Sequence, residues 1–466
     1  MNGKRRILLL TPPLLQTNSP YPATMHLLAF LRSRGIAAEQ CDLSIKVVRE
    51  VLLKYGDETT EELLELLGGG APPEAKREAS KVIDELALAI REEVDELFGF
   101  GRYAEAECRA LTDFSALSRL IRRRGVIDEP LYRHLDAAMK KSRPTEVWVT
   151  CPFPGTVVGA FKIARHVKKY YPGVKLCIGG GYVNTELRRM SDKRPYRYFD
   201  EFQFDSPYTE PFMAPDYDGI DWNEYFDVVE TDNFVTNLWN SGKWVKLVMA
   251  QGCYWHKCAF CDVCLPYIGK FQMPRAAEIA DAMERFAKAT VYPIASFHFV
   301  DEAMPPKLVR GLSEEILRRG LDVEWWGNIR FDAAFTPDLV KLMAKAGCIA
   351  VTGGLECAND RLLKLMNKGI TLKGAEQVLK AFKREKIFVH AYLMYGFPTE
   401  TRAEEKAARR YVAMLVKRNL VQSVFWHRFA LTVHSPIARE PERFGLKLAS
   451  MPRPRRLFAL NEIEEV

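Results

Sequence analysis

The chain has 466 residues, 48% of them hydrophobic and 27% charged, with a formal net charge of +7. That length suits two or three domains with ample core material, and no apolar run reaches the roughly eighteen residues that a membrane span needs. The positive charge is spread out: Arg122, Arg123 and Arg124, and later Arg453, Arg455 and Arg456, form only short clusters, read as solvated faces and not as a nucleic-acid surface.

Near the start, residues 5–11 form an apolar run too short for a signal peptide and followed at once by Pro12 and Pro13, which predicts a first buried strand. Met25, Leu27, Leu28, Phe30 and Leu31 predict a helix that stops at Gly35, and residues 36–42 a second strand, so the chain opens as a βαβ unit of a parallel sheet. From 44 to 142 there is no strand signal. Helical periodicity over 61–67 and 79–97, interrupted by the Gly and Pro residues at 68–73, predicts a helical insertion. Residues 146–151 resume the sheet, a helix runs through Ala164 to Val167, and the strand at 174–178 ends in Gly179, Gly180 and Gly181, where missing side chains let a ligand approach the backbone. Residues 194–221 read as irregular and 222–243 as a linker.

Four of the ten cysteines, Cys253, Cys258, Cys261 and Cys264, then fall within one short stretch, directly after the apolar run 244–250. The run predicts a strand, which places the cysteines on the loop at its C-terminal end, where barrel enzymes keep their chemistry. Three thiolates on one loop can ligate three irons of a [4Fe–4S] cluster and leave the fourth iron open. Four thiolates can instead hold a structural zinc, although zinc motifs usually pair two distant knuckles. This cysteine usage points to a reducing cytoplasm and metal ligation, not disulfides. Further strands are predicted at 295–300, 323–330, 349–356, 389–398 and 424–429, alternating with helices that begin near Pro305, at Thr336-Pro337, at Asp360 and after Thr401. With the strand before Cys253 they make six β/α units.

The cysteine loop resembles that of the radical S-adenosylmethionine (SAM) superfamily, whose usual pattern is Cys-x3-Cys-x2-Cys with an aromatic residue before the last cysteine, a place held here by Phe260. Cys253 to Cys258 is one residue longer than that pattern. The resemblance implies Cys253, Cys258 and Cys261 as cluster ligands and leaves Cys264 open. The order of the whole chain is similar to the cobalamin-binding class of that superfamily. It implies an α/β fold: a doubly wound, Rossmann-like sheet over 1–195 with its helical insertion at about 44–142, a linker over 196–243, a partial (β/α)6 TIM-like barrel over 244–440, and a tail over 441–466. For SAM it implies Asp301 and Glu302 near the amino group, Arg330 at the carboxylate, Gly353, Gly354 and Glu356 at the ribose, and Gly396 and Pro398 beside the adenine. For cobalamin it implies Pro12, Cys151, Gly179, Gly180 and Gly181, with no Asp-x-His-x-x-Gly motif to supply a lower ligand. Any one strand-end carboxylate can equally cap the following helix.

The activity implied is that of a cobalamin-dependent C-methyltransferase: the cluster reduces SAM to methionine and a 5'-deoxyadenosyl radical, which abstracts hydrogen from an unactivated carbon, with methyl transfer from methylcobalamin. A cyclase, rearrangement or peptide-modifying enzyme without cobalamin is the second reading, and a non-catalytic metal or corrinoid sensor the third. The expected partners are a small-molecule or peptide substrate and an electron donor such as flavodoxin or ferredoxin, in the cytoplasm, with no nucleic acid and no membrane span.

Overall fold

β1 (Arg6–Thr11) is buried at every residue after its first, the pattern of a strand covered on both faces. It pairs in parallel with β2 (Ala37–Asp42) and β3 (Glu146–Thr150), and β4 (Lys175–Gly179) and β5 (Glu201–Phe202) complete a five-stranded parallel sheet of order β2-β1-β3-β4-β5. Helices Ala23–Ser33 and Val157–Tyr170 make the crossovers. The computed structural model describes residues 5–109, 111–207, 210–239, 242–289, 294–448 and 456–463; Arg453 and Arg455 lie outside them.

The insertion is helical, as its periodicity predicts, but also holds a two-by-two-residue antiparallel hairpin, Phe98–Gly99 with Arg102–Tyr103. β5 likewise lies inside the stretch read as irregular. Both are two residues per strand, too short to show an alternation, and exist because a neighbouring strand offers free backbone groups. Leu64, Ile83, Leu117 and Leu131 of the insertion share one apolar core with Leu8, Leu10 and Val147 of the sheet, so these helices cover the sheet.

β6 (Val245–Leu247), β7 (Ser296–Phe299), β8 (Glu324–Ile329), β9 (Cys348–Glu356), β10 (Phe388–Tyr395) and β11 (Ser423–Arg428) form a second, six-stranded parallel sheet, ordered consecutively. Val245, Leu247, Phe297, Phe299, Trp325 and Val351 pack outward against a helical layer. Thr336 caps one of its helices by accepting the Leu339 N–H, and Thr401 with Glu404 forms a capping box on another. Residues 456–463 return to the first sheet: Phe458 is buried in its core, its N–H donates to Thr112 O at 2.9 Å, and the Val433 N–H donates to Asn461 O at 2.7 Å, tying both halves together. Among the described residues no helix is long and apolar enough to cross a membrane.

Inside the second sheet, Lys246, His298 and Trp326 lie side by side on adjacent strands. His298 stacks on Trp326 at 3.6 Å between centroids, and Trp239 meets both rings edge-on. The Lys246 ammonium has no partner among the described residues, and burial pulls its pKa down to about 7. Between that value and the 10.5 of a free lysine, the unfolded chain holds a proton that the folded one lacks, so stability should rise with pH across this window. Lys246→Met should remove that pH dependence and stabilise the fold near neutrality by about 1–3 kcal/mol; urea midpoints at several pH values would check it.

Candidate active site

Asp301, at the end of β7, accepts the N–H groups of Met249 at 2.8 Å and Ala250 at 2.6 Å and so holds the chain where the cysteine loop begins. Burial raises its pKa to about 7 even against those two hydrogen bonds. Its carboxylate is therefore spent on the loop, while the adjacent Glu302 faces the cavity. At Gly252 the backbone turns with φ +73°, and a Cβ there would sit 2.4 Å from Lys270 O, so only glycine fits. The loop rests on the chain that follows helix Asp360–Leu365: the Ala259 N–H donates to Met366 O at 2.8 Å and Asn367 Nδ2 donates to Lys257 O at 2.9 Å.

Cys253, Cys258 and Cys261 line one cavity of about 290 Å³ together with Glu302, Arg330, Gly353, Gly354 and Glu356. Cys264 does not: its thiol turns away and donates to His434 O at 2.6 Å. Among the described residues no three His, Cys, Asp or Glu side chains are grouped closely enough to hold a single metal ion. Cys258 and Cys261 share a thiol–thiol hydrogen bond. It lowers the pKa of Cys258, against desolvation and with help from the charges of Lys368 and Arg330, and raises that of Cys261.

Arg330 leaves the end of β8 almost fully buried. One Nη donates to Lys368 O, the other lies 3.8 Å from Cys258 Sγ, the guanidinium sits 4.6 Å over the Trp255 ring, and Nε has no hydrogen-bond partner. Glu356 reaches the cavity through a bulge: the β9–β10 register skips Leu355, and Glu356 takes φ +60°, a conformation that costs a side-chain-bearing residue energy. Its carboxylate meets Lys368 Nζ at 2.6 Å in a buried ion pair. Burial opposes the charge on Lys368, but Glu356 and then Cys258 outweigh it, and its pKa is raised.

Lys368 was not among the residues picked out from the sequence. The signal was Asn367-Lys368-Gly369 just past a helix, with Asn367 at φ +52° and Gly369 at φ +75°, but a lysine at a helix C-terminus is ordinarily solvated. Gly354 is required by this pair, since a Cβ would fall 2.0 Å from Glu356 Oε1 and 2.9 Å from Lys368 Nζ. Gly354→Ala should displace both groups and cost about 1–3 kcal/mol, read as a fall in the melting temperature together with weaker SAM binding. Gly396 and Pro398 lie on the turn after β10, outside the lining of this cavity.

A second cavity, of about 570 Å³, opens at the C-terminal ends of β3 and β4, walled by Trp148, Phe153, Ile178 and the backbone of Gly179, Gly180 and Gly181. Pro12 and Cys151 do not line it. The reason for the glycines is also revised: a Cβ on Gly180 would come within 2.8 Å of the Cys151 backbone and one on Gly181 within 2.7 Å of Pro152 O, so the close approach is made by the chain itself. Cys151 is buried, its thiol 3.4 Å from Thr156 Oγ1 and its pKa pushed up to about 12 by desolvation. Neighbouring residues of the short helix Pro266–Gly269 line the two cavities, Tyr267 the second and Ile268 the first.

The donor set of the first cavity fits a three-thiolate iron–sulfur cluster with a chelating small molecule beside it, and Arg330, whose Nε makes no hydrogen bond and lies 3.7 Å from Asp332 Oδ2, is the cation on the same wall. The second cavity, broad and walled by aromatic and aliphatic side chains, fits the edge of a large planar amphiphile; no histidine lines it among the described residues. Three thiols thus line one cavity at the strand ends of the second sheet, which is joined to a doubly wound first sheet.

Residues 247–411 match the family model described as the radical SAM superfamily. The chain is 26% identical over 171 residues to an uncharacterized methyltransferase of Pyrococcus horikoshii, covering 36% of each. It is 28% identical over 162 residues to bacteriochlorophyllide d C-12(1)-methyltransferase of Chlorobaculum tepidum, covering 33% of this chain and 34% of that one. The chain thus spans about a third of the length of these curated relatives. Its fold is similar to that of the radical SAM methyltransferase TsrM from Kitasatospora setae, solved with cobalamin and a [4Fe–4S] cluster. That match covers 97% of this chain and 82% of the other, with a TM-score of 0.56 and 15% identity.

Proposed function

We propose that this protein is a cobalamin-dependent radical SAM enzyme, a C-methyltransferase acting on an unactivated carbon of a small molecule or peptide. The observation that carries this reading is that neighbouring residues of the short helix Pro266–Gly269 line two cavities, Ile268 the one with three thiols and Tyr267 the larger one at the glycine-ended strand. Cys253, Cys258 and Cys261 would hold the cluster, and the glycine-edged cavity the corrinoid. When bound, these groups supply one-electron cleavage of SAM and the transferable methyl group.

The chain's own side chains orient SAM. Arg330, which lines the cavity with its guanidinium held by Lys368 O, Trp255 and Asp332, would meet its carboxylate. Glu302 faces the amino group, and Glu356, held in place by Lys368, takes the ribose hydroxyls. Gly353 and Gly354 leave room beside it. The electron comes from a donor such as flavodoxin or ferredoxin, as suits a reducing cytoplasm.

A second reading, radical chemistry without cobalamin, is favoured by one finding: the glycines at the end of β4 are already demanded by the chain's own packing. Anaerobic purification with added hydroxocobalamin, followed by iron, sulfide and zinc quantitation, a visible spectrum and a dithionite-driven SAM cleavage assay, separates the two. About four irons per chain with a corrinoid band and SAM cleavage is the expected result. Iron and SAM cleavage without corrinoid would select the second reading, and stoichiometric zinc without iron would overturn both.

A further inference from the structure

A cavity of about 810 Å³, within the roughly 300–1,000 Å³ of small-molecule sites, lies where the helical insertion meets the helix Val157–Tyr170 of the first sheet. It shares no lining residue with the two cavities described above, so what it binds does not depend on the proposed radical chemistry. Its walls include the turn after helix Phe114–Arg122, the start of helix Asp128–Ser142 and the last turns of helix Val157–Tyr170.

The charges on these walls do not cancel. Each carboxylate is already held: Asp128 by Lys162 Nζ at 2.6 Å, Glu129 by Lys54 Nζ at 2.7 Å, and Asp95 by the Tyr103 hydroxyl at 2.9 Å and the Val126 N–H at 3.0 Å. Three cations of the same cavity have no carboxylate among the described residues. Arg124 makes no hydrogen bond or ion pair there, Arg165 reaches the Ile121 carbonyl at 3.4 Å, and Lys169 meets the hydroxyl and the ring of Tyr170.

The turn that carries Arg124 is held from beneath. Buried Lys162 donates to Arg123 O at 2.7 Å, and a Cβ on Gly125 would fall 2.6 Å from Asp95 Oδ2. Burying a lysine costs free energy unless its charge is met, so the turn gains a fixed position for an exposed arginine. A cation fixed in advance loses less freedom when an anion arrives.

An aromatic wall lines the same cavity. The His166 and Tyr132 rings stack with centroids 4.6 Å apart and planes 11° apart, and Tyr170 lies 4.6 Å from His166 on the same helix. Asp136 Oδ1 fixes the His166 ring at Nε2, 2.8 Å away, while Tyr170 is 56% exposed.

We infer that this cavity binds a small molecule in which a flat ring carries two or more phosphate groups. Arg124, Arg165 and Lys169 take the phosphates, since a guanidinium matches their oxygens in pairs, and the ring lies against the wall that ends in Tyr170.

The purified full-length protein, with SAM added to fill its own cavity, tests this with GTP as the probe, because guanine differs from the adenine of SAM. Equilibrium dialysis should show saturable GTP binding that salt weakens, weaker binding of tripolyphosphate, and none of guanosine. Arg124→Glu with Arg165→Glu, both exposed, should weaken GTP binding about tenfold or more. Arg124→Gln alone should act in the same direction and covers the case in which the double variant does not fold. Tyr170→Ala should weaken GTP binding about fivefold or more and leave tripolyphosphate unchanged. Lys341→Glu with Lys417→Glu, on helices of the second sheet, carries the same change in net charge and should alter neither. Absence of GTP binding at millimolar concentration, or equal loss in the Lys341 and Lys417 variant, would overturn the site. Tripolyphosphate bound as tightly as GTP would overturn the ring contact.

Discussion

Cys258→Ala is expected to leave a folded chain that no longer retains iron, with SAM cleavage reduced by well over 100-fold, whereas Cys264→Ala should keep both. Changes in the outer shell of a metal site already cost about 10–100-fold in metal affinity or activity, so loss of a ligand should cost more. The contrast follows from where the thiols point. Cys258 is almost fully buried in the cavity wall, where the hydrogen bond from Cys261 and, after it, the charges of Lys368 and Arg330 lower its pKa and favour the ligating thiolate. Cys264 is occupied with a carbonyl on the far side of the loop. Iron and sulfide per chain after reconstitution decide the matter, and equal loss in the two variants would mean that Cys264 is a ligand after all.

Lys368→Met should be the most damaging single change away from the cysteines. It leaves Glu356 buried without its counter-ion, and removing one partner of a buried pair costs about 3–5 kcal/mol. The double variant Lys368→Met with Glu356→Gln should recover most of that stability, because no isolated charge remains, yet it should bind SAM more weakly than the wild type, having lost the carboxylate proposed for the ribose. Urea unfolding and equilibrium SAM binding on the two variants separate a structural loss from a binding loss. If the double variant binds SAM as tightly as the wild type, Glu356 has no part in holding it.

The alternation of six apolar runs with helices was legible in the chain because each strand of a parallel sheet buried on both faces must be apolar nearly throughout, and because caps such as Thr336 and Thr401 mark the helices between them. The grouping of Cys253, Cys258 and Cys261 was legible for a similar reason: ligands that lie within one loop carry their geometry in their spacing. Arg330, Glu302 and Glu356 could be placed because a strand's C-terminal end is a position that the strand itself defines.

What the chain did not show is what its distant parts do to one another. Cys264 looks equivalent to its neighbours until the backbone carbonyl of His434, 170 residues on, accepts a hydrogen bond from its thiol. Asp301 reads as a neighbour of the SAM amino group, and the fold shows that it also accepts the backbone N–H groups of Met249 and Ala250, just past β6. Gly180 and Gly181 read as room for a ligand, and the fold adds a second demand for glycine, since a Cβ on either would strike Cys151 or Pro152. Lys368 reads as a solvated helix end until the β9 bulge turns Glu356 towards it. Local sequence determined the strands, the helices and the cysteine loop, because periodicity and short-range spacing act within a few residues. Only the tertiary structure decided which polar group meets which, since a buried hydrogen-bond donor or acceptor takes whatever partner the fold brings within about 3 Å, however far away in the chain it lies.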